Sequence, residues 1–152
     1  MDRRIVPAEV KHLTAMAGRL RAEDARELED TYGENPYFVL GQSYAASVLC
    51  WAAVVDGETI AMFGVTPRGP AGQGRPWMIG TKDLDRHRFK FSKGCAAVVQ
   101  EMLDTFPSLE NVVDCRNRKT VRWLKWLGFD FGQVILVGQK NVPCQIFTME
   151  KR

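Results

Sequence analysis

Residues 77–129 carry the pattern that most restricts the fold. WMIG (77–80) reads as a short buried strand and is followed by a long stretch at helical spacing. NVVDC (111–115) then returns to strand character, and NRKTVRWLKWLGF (117–129) is helical again. Two strands separated by a helix cannot close as a hairpin. The crossover sets them parallel in one sheet. Phe91, Cys95, Val98, Val99, Met102 and Phe106 mark one apolar face of the first helix, placed within 84–106. The chain is therefore expected to be an α/β sandwich with a mixed sheet.

The flanking sequence fills in the other strands. Residues 4–6 are a short strand, and Pro7 suits the first turn of a helix through Val10, Leu13 and Met16. A charged helix over 23–32 stops at Gly33, and a short one fits 36–46. VLCWAAVV (48–55) and TIAMFGV (59–65) flank Asp56-Gly57, a strong two-residue hairpin signal. PRGPAGQGRP (67–76) reads as a loop, and 133–137 and 145–149 as two closing strands. At 152 residues, one domain over 1–152 can bury a core without disulfides.

Several functional classes are disfavoured. The net charge of +3 is too mild to argue for nucleic acid. No apolar run approaches bilayer-spanning length, so no membrane role is expected, and MDRRIVPAEVKHL has no signal-peptide core. The four cysteines and two histidines form no metal-ligand spacing, and reduced thiols in a cytoplasmic setting follow. The glycines of 69–75 precede no Lys-Ser or Lys-Thr, so they make a hairpin loop that borders a cleft at most.

The 117–129 segment carries the main functional signal. Asn117 stands between strand and helix, where its side chain can cap free amides. Val121, Leu124 and Leu127 form a buried stripe, and Arg118, Arg122 and Lys125 a cationic one. Gly128 fits a left-handed helix stop, with Phe129 folding back on the last turn. The run Asn117, Thr120, Val121, Leu127, Gly128, Phe129 resembles the second acyl-CoA motif of the GNAT superfamily of N-acetyltransferases. The order of elements is similar to that fold over almost the whole chain. Capping rules alone would also select Asn117 and Gly-Phe, so a purely structural role for them stays open.

From about Trp51 onward the chain further resembles a phage-encoded branch of that superfamily, which includes the internal virion protein A of short-tailed phages. WMIGT (77–81), LENVVDCRN (109–117) and RWLKWLGF (122–129) carry this likeness. The resemblance implies a GNAT-like, mostly antiparallel sheet with one splayed parallel strand pair, flanked by helices. It implies acetyl-CoA as co-substrate, with the Met78 and Ile79 backbone holding pantetheine and Asn117 orienting the cofactor. Arg86, Arg88, Lys93, Gly94 and Ala96 would hold the phosphates at the start of the long helix. It also implies action in the host cytoplasm, with packaging in the virion and host or virion protein partners as further expectations.

Two features depart from the pattern. Phe91-Ser92-Lys93-Gly94-Cys95-Ala96 keeps Gly94 and Ala96 of the pyrophosphate motif but has Phe91 at its basic or amide position, and Leu124 replaces the Tyr that often protonates the departing thiolate. The cations Arg86, Arg88 and Lys90 oppose a helix dipole, which a bound anion would explain, although Asp83 and Asp85 also relieve them. Asp114 is the leading candidate for a general base and Glu58 a poorer one. His87 is expected at the surface, Cys115 as a buried thiol without a base beside it, and Trp123 and Trp126 in core or interface. Two readings follow: amine acetylation by direct attack, or a non-catalytic GNAT-fold protein that binds a host protein or sits in the virion.

Overall fold

The computed structural model describes residues 1–151. One seven-stranded sheet runs in the order β1-β2-β3-β4-β5-β7-β6. Its strands are β1 (Arg3–Pro7), β2 (Leu49–Val55), β3 (Glu58–Arg68), β4 (Gln73–Gly80), β5 (Ser108–Asp114), β6 (Asp130–Val137) and β7 (Val142–Glu150). Every neighbouring pair is antiparallel except β4 and β5, which are parallel. That pair is the one the strand–helix–strand pattern demanded.

Helices cover both faces. On one lie α1 (Val10–Ala15), α2 (Ala22–Tyr32) and α3 (Pro36–Ala46), packed through Met16, Leu28, Leu40, Met62 and Ile79. On the other lie α5 (Ser92–Thr105) and α6 (Arg118–Leu127), packed through Phe63, Val98, Met102, Trp123 and Phe147. Successive side chains of a strand point to opposite faces. Met62 and Phe63 therefore enter different clusters, and a two-sided burial makes β3 a continuous apolar run.

Local chemistry sets the turns. Asp56 and Gly57 both have positive φ (48° and 83°), as the tightest hairpin requires. Gly128, at φ 102°, ends α6, and the Phe129 amide reaches back 3.1 Å to the Leu124 carbonyl. Phe129 then packs edge-on against Phe147 at 5.1 Å.

Two expectations change. The loop expected at 67–76 is mostly strand: β3 runs to Arg68 and β4 starts at Gln73, leaving a turn with Gly69 and Gly72 at positive φ. The buried position 74 in β4 requires glycine, because a Cβ there would lie 2.7 Å from Val65 Cγ2 and 2.8 Å from the Phe106 ring. The single helix expected within 84–106 is broken into α4 (Leu84–His87), a 3-10 turn (Arg88–Phe91) and α5. Leu84, His87 and Phe91 are buried at intervals of about three residues, a spacing that the tighter 3-10 winding also satisfies.

Candidate active site

β4 and β5 pair only at Gln73↔Ser108 and Gly74↔Leu109. Beyond those two positions the strands part. Pro76 stands at the point of parting, and its carbonyl accepts 2.7 Å from the Asn111 side-chain amide. A strand residue directs its N–H and C=O to the same side, so the N–H that proline lacks falls on the open side, where no ladder needs it. A cavity of ≈ 130 Å³ occupies the gap. Met78, Ile79 and Val113 line it from the strands, Glu27 from α2, and Thr120 and Leu124 from α6.

Glu27 is the candidate site residue that sequence reasoning missed. Its Oε1 accepts the Asp114 backbone N–H at 2.8 Å, which fixes the carboxylate against the end of β5. Burial pushes its pKa from 4.5 up to about 7; the Asp114 hydrogen bond offsets this in part, and the nearby Asp24 and Asp114 charges add to it. A carboxylate poised near neutrality in a cavity is suited to take and release protons. One signal was present. The inward face of α2 offers Leu28 as its one large aliphatic residue, so carboxylates and threonine must turn toward the sheet there.

Asp114, the expected base, is otherwise engaged. It is 1% exposed, and Arg116 grips both of its oxygens, with Nη2 2.6 Å from Oδ2 and Nε 3.0 Å from Oδ1. Burial alone would raise its pKa, but the Arg116 guanidinium and amide hold it below the ordinary carboxylate range. A carboxylate tied to a cation and stabilised as the anion is a poor proton acceptor. Asp114 acts instead by setting the β5 end and, through its amide, Glu27.

Asn117 is buried beside these residues but does not cap α6. Its side chain makes no cap hydrogen bond. Oδ1 accepts 3.2 Å from Arg21 Nη1, and Nδ2 lies 3.4 Å from Asp24 Oδ1. Arg21, 2% exposed, also bonds Asp24 at 3.1 Å and Asp85 at 3.0 Å. Asp24 in turn accepts the Gly80 amide at 2.9 Å. A buried ionic network therefore joins the start of α2, the end of β4, α4 and the start of α6.

The remaining expected residues do not form one phosphate cradle. Arg86 is exposed and paired with Asp83 at 2.7 Å, and Lys93 and Ala96 are exposed on α5. Arg88 is buried and faces α6. Gly94 lies within the first turn of α5, where a Cβ would come 2.6 Å from Ile5 Cδ1, so close packing on β1 accounts for the glycine. His87, expected at the surface, is buried 3.3 Å from Arg3 Nε, and Cys115 is half-buried rather than buried. Trp123 is buried, Trp126 is exposed, and Glu58 is exposed and paired with Arg19. Among the described residues no group of His, Cys, Asp and Glu could hold a metal ion, and no helix is long and apolar enough to cross a membrane.

No protein-family model matches the sequence, and no curated protein matches it. Solved structures do match the fold. A GNAT-family acetyltransferase from Bacillus anthracis superimposes with a TM-score of 0.71 at 8% identity, over 99% of this chain and 95% of that one. The fold is that of the GNAT acetyltransferases. An N-acetyltransferase from Staphylococcus aureus Mu50 gives 0.71 at 11% identity, over 99% of both chains. A ribosomal-protein-alanine N-acetyltransferase from Brucella melitensis gives 0.71 at 14%, over 97% of this chain and 99% of that one. The splayed β4–β5 pair and the helices on both sides of the sheet are the GNAT arrangement expected from the 117–129 segment.

Proposed function

We propose that the protein transfers an acyl group from an acyl-CoA, acetyl-CoA in the simplest case, to an amine by direct attack. One observation carries this reading: Glu27, with a pKa pushed up to about 7, lines the cavity at the parting of β4 and β5. The acyl donor supplies a thioester carbonyl. Met78, in phase with Pro76, turns its N–H and C=O to the open side, where β5 no longer pairs, and is free to bond the amides of an extended arm, as an added strand would. The Ile79 backbone turns instead to Met62 of β3, so the expected Ile79 contact falls away. Glu27 takes the proton of the attacking amine, either directly or through one water. Asn117 orients the arm through its place beside Glu27 and Arg21. The phosphate end is left to the exposed cations Arg86 and Lys93.

The sequence likeness supports placing the protein in the phage-encoded branch, acting in the host cytoplasm. A second reading has its own observation. The Arg21–Asp24–Asp85 network and the packed Gly94 occupy the region where a phosphate cradle is expected. This favours a non-catalytic GNAT-fold protein whose partner is a host or virion protein.

Calorimetric titration with acetyl-CoA, followed by incubation with host lysate and a search for new acetyl-lysine, separates the two. Acyl transfer expects binding and new modification that Glu27→Gln abolishes. Absence of binding at about millimolar acetyl-CoA, weaker than roughly −4 kcal/mol, contradicts it.

A further inference from the structure

We infer that Thr120, oriented by the buried Arg88, is the hydrogen-bond donor that meets the departing thiolate. This rests on the acyl-transfer reading above. Thr120 lines the cavity from the first turn of α6, one turn before Leu124, the position at which the family resemblance leads one to expect a tyrosine. Arg88 Nη1 donates to Thr120 Oγ1 at 2.8 Å. A hydroxyl has one donor and two acceptor sites, so this contact uses an acceptor site and leaves the proton free.

Thr31 Oγ1, which also lines the cavity, and Ser92 Oγ are buried with no hydrogen-bond partner among the described residues, so neither accepts from a cation as Thr120 does. Three other hydroxyls use their protons locally. Thr14 donates to the Val10 carbonyl, Thr105 to Glu101 and Ser47 to Ser43, each four residues back. Thr120 makes no such donation among the described residues, because the carbonyl four residues back belongs to Arg116, which lies before the helix and accepts the Arg118 amide instead. The Thr120 proton therefore has the cavity as its outlet. The adjacent cation strengthens it as a donor, and the positive end of the α6 dipole favours an anion there.

Arg88 is arranged for this contact more than for folding. It is 2% exposed, stacked over Trp123 at 5.6 Å, and its Nε and Nη2 have no hydrogen-bond partner among the described residues. Its nearest carboxylate, Asp85 at 3.5 Å, is already bonded by Arg21 at 3.0 Å and reached by Lys119 at 3.4 Å. A buried guanidinium with one neutral hydrogen bond is a costly element of a core. It is explained if the charge acts on the Thr120 hydroxyl.

The step balances with these groups. The amine nitrogen bonds to the carbonyl carbon and Glu27 takes its proton. The carbon–sulfur bond breaks with its electron pair on sulfur. The thiolate accepts a hydrogen bond from Thr120, whose proton stays on the hydroxyl. Thr120 is thus the catalytic residue and Arg88 a positioning residue.

Calorimetry with CoA and with desulfo-CoA, which lacks the thiol, tests this in the full chain. A hydrogen bond to a charged acceptor corresponds to about tenfold or more in affinity. Wild type is expected to prefer CoA over desulfo-CoA increasingly as pH rises and the thiol ionises, approaching that factor at about pH 10, and to lose the preference near about pH 6.5. Thr120→Val should bind both equally at either pH, with desulfo-CoA affinity unchanged as the sign of an intact site. Thr120→Ser should restore the preference, and Arg88→Met should narrow it more than Arg88→Lys. Equal wild-type affinities for the two ligands, or a full preference in Thr120→Val, overturn the inference alone. Failure of wild type to bind either ligand overturns the acyl-transfer reading and this inference with it.

Discussion

The two ends of the cleft are built to different standards. At the parting of β4 and β5, Pro76, Glu27, Thr120 and the unpaired edge of β4 converge on one cavity. At the other end, from Thr81 to Ala96, the acids Asp83 and Asp85 are both held by arginines, Arg86 and Arg21, and Gly94 serves a packing contact with Ile5. The difference teaches where selection of residue chemistry is visible. The end that would meet the reacting atoms holds a carboxylate with a raised pKa and an unspent hydroxyl donor. The end that would meet the phosphates holds a salt-bridge network typical of a stabilised junction.

The sharpest way to break this contrast is at Glu27. Glu27→Gln should lower the rate of acyl transfer by about 10²–10⁴, the usual worth of a general base, in an assay of CoA release. The wild-type rate should rise with pH through about 7 as Glu27 loses its proton. Stability moves the other way. The folded protein binds more protons than the unfolded chain between the ordinary 4.5 and about 7, so stability falls as pH rises through that window. Glu27→Gln should therefore raise stability at pH 8 by about 2 kcal/mol in thermal melts, and should not do so at pH 4.

Cavity shape comes next. Val98 lines the cavity from α5. Val98→Phe should fill it, weakening CoA binding at least tenfold while costing about 1–3 kcal/mol of stability through overpacking. Asn117→Ala removes an acceptor from the buried Arg21 and a donor from Asp24, and should cost about 1–2 kcal/mol in denaturant melts. The helix content of α6 should be unchanged, because no cap is lost.

The smallest effect is expected at the phosphate end. Gly94→Ala places a methyl 2.6 Å from the tip of Ile5, a flexible side chain, while gaining helix propensity. The net change should stay within about 1 kcal/mol, with CoA affinity unaltered. A tenfold loss of affinity there would erase the contrast between the two ends.

The fold was largely legible because its signals are local. Asp56-Gly57 fixed one hairpin, Gly128-Phe129 one helix end, and the 77–129 alternation the parallel pair. Pro76 was the misread signal: set in a loop by its composition, it marks the point at which two strands separate. The site was less legible because its residues meet only in three dimensions. Glu27 and Asp114 are far apart in sequence, yet share a 2.8 Å hydrogen bond and lie on opposite sides of the ordinary carboxylate pKa. Which of the two is the better proton acceptor depends on Arg116 gripping one and burial raising the other, and spacing along the chain encodes neither. Asn117 was expected to cap α6, and its side chain bonds the buried Arg21 instead.

The direct test of the cleft's acid–base character needs no acceptor amine. The carboxyl carbon of Glu27, followed by NMR across pH in the full chain and assigned with Glu27→Gln, should titrate near pH 7. A midpoint near the ordinary 4.5 would show a solvated surface carboxylate and contradict the account.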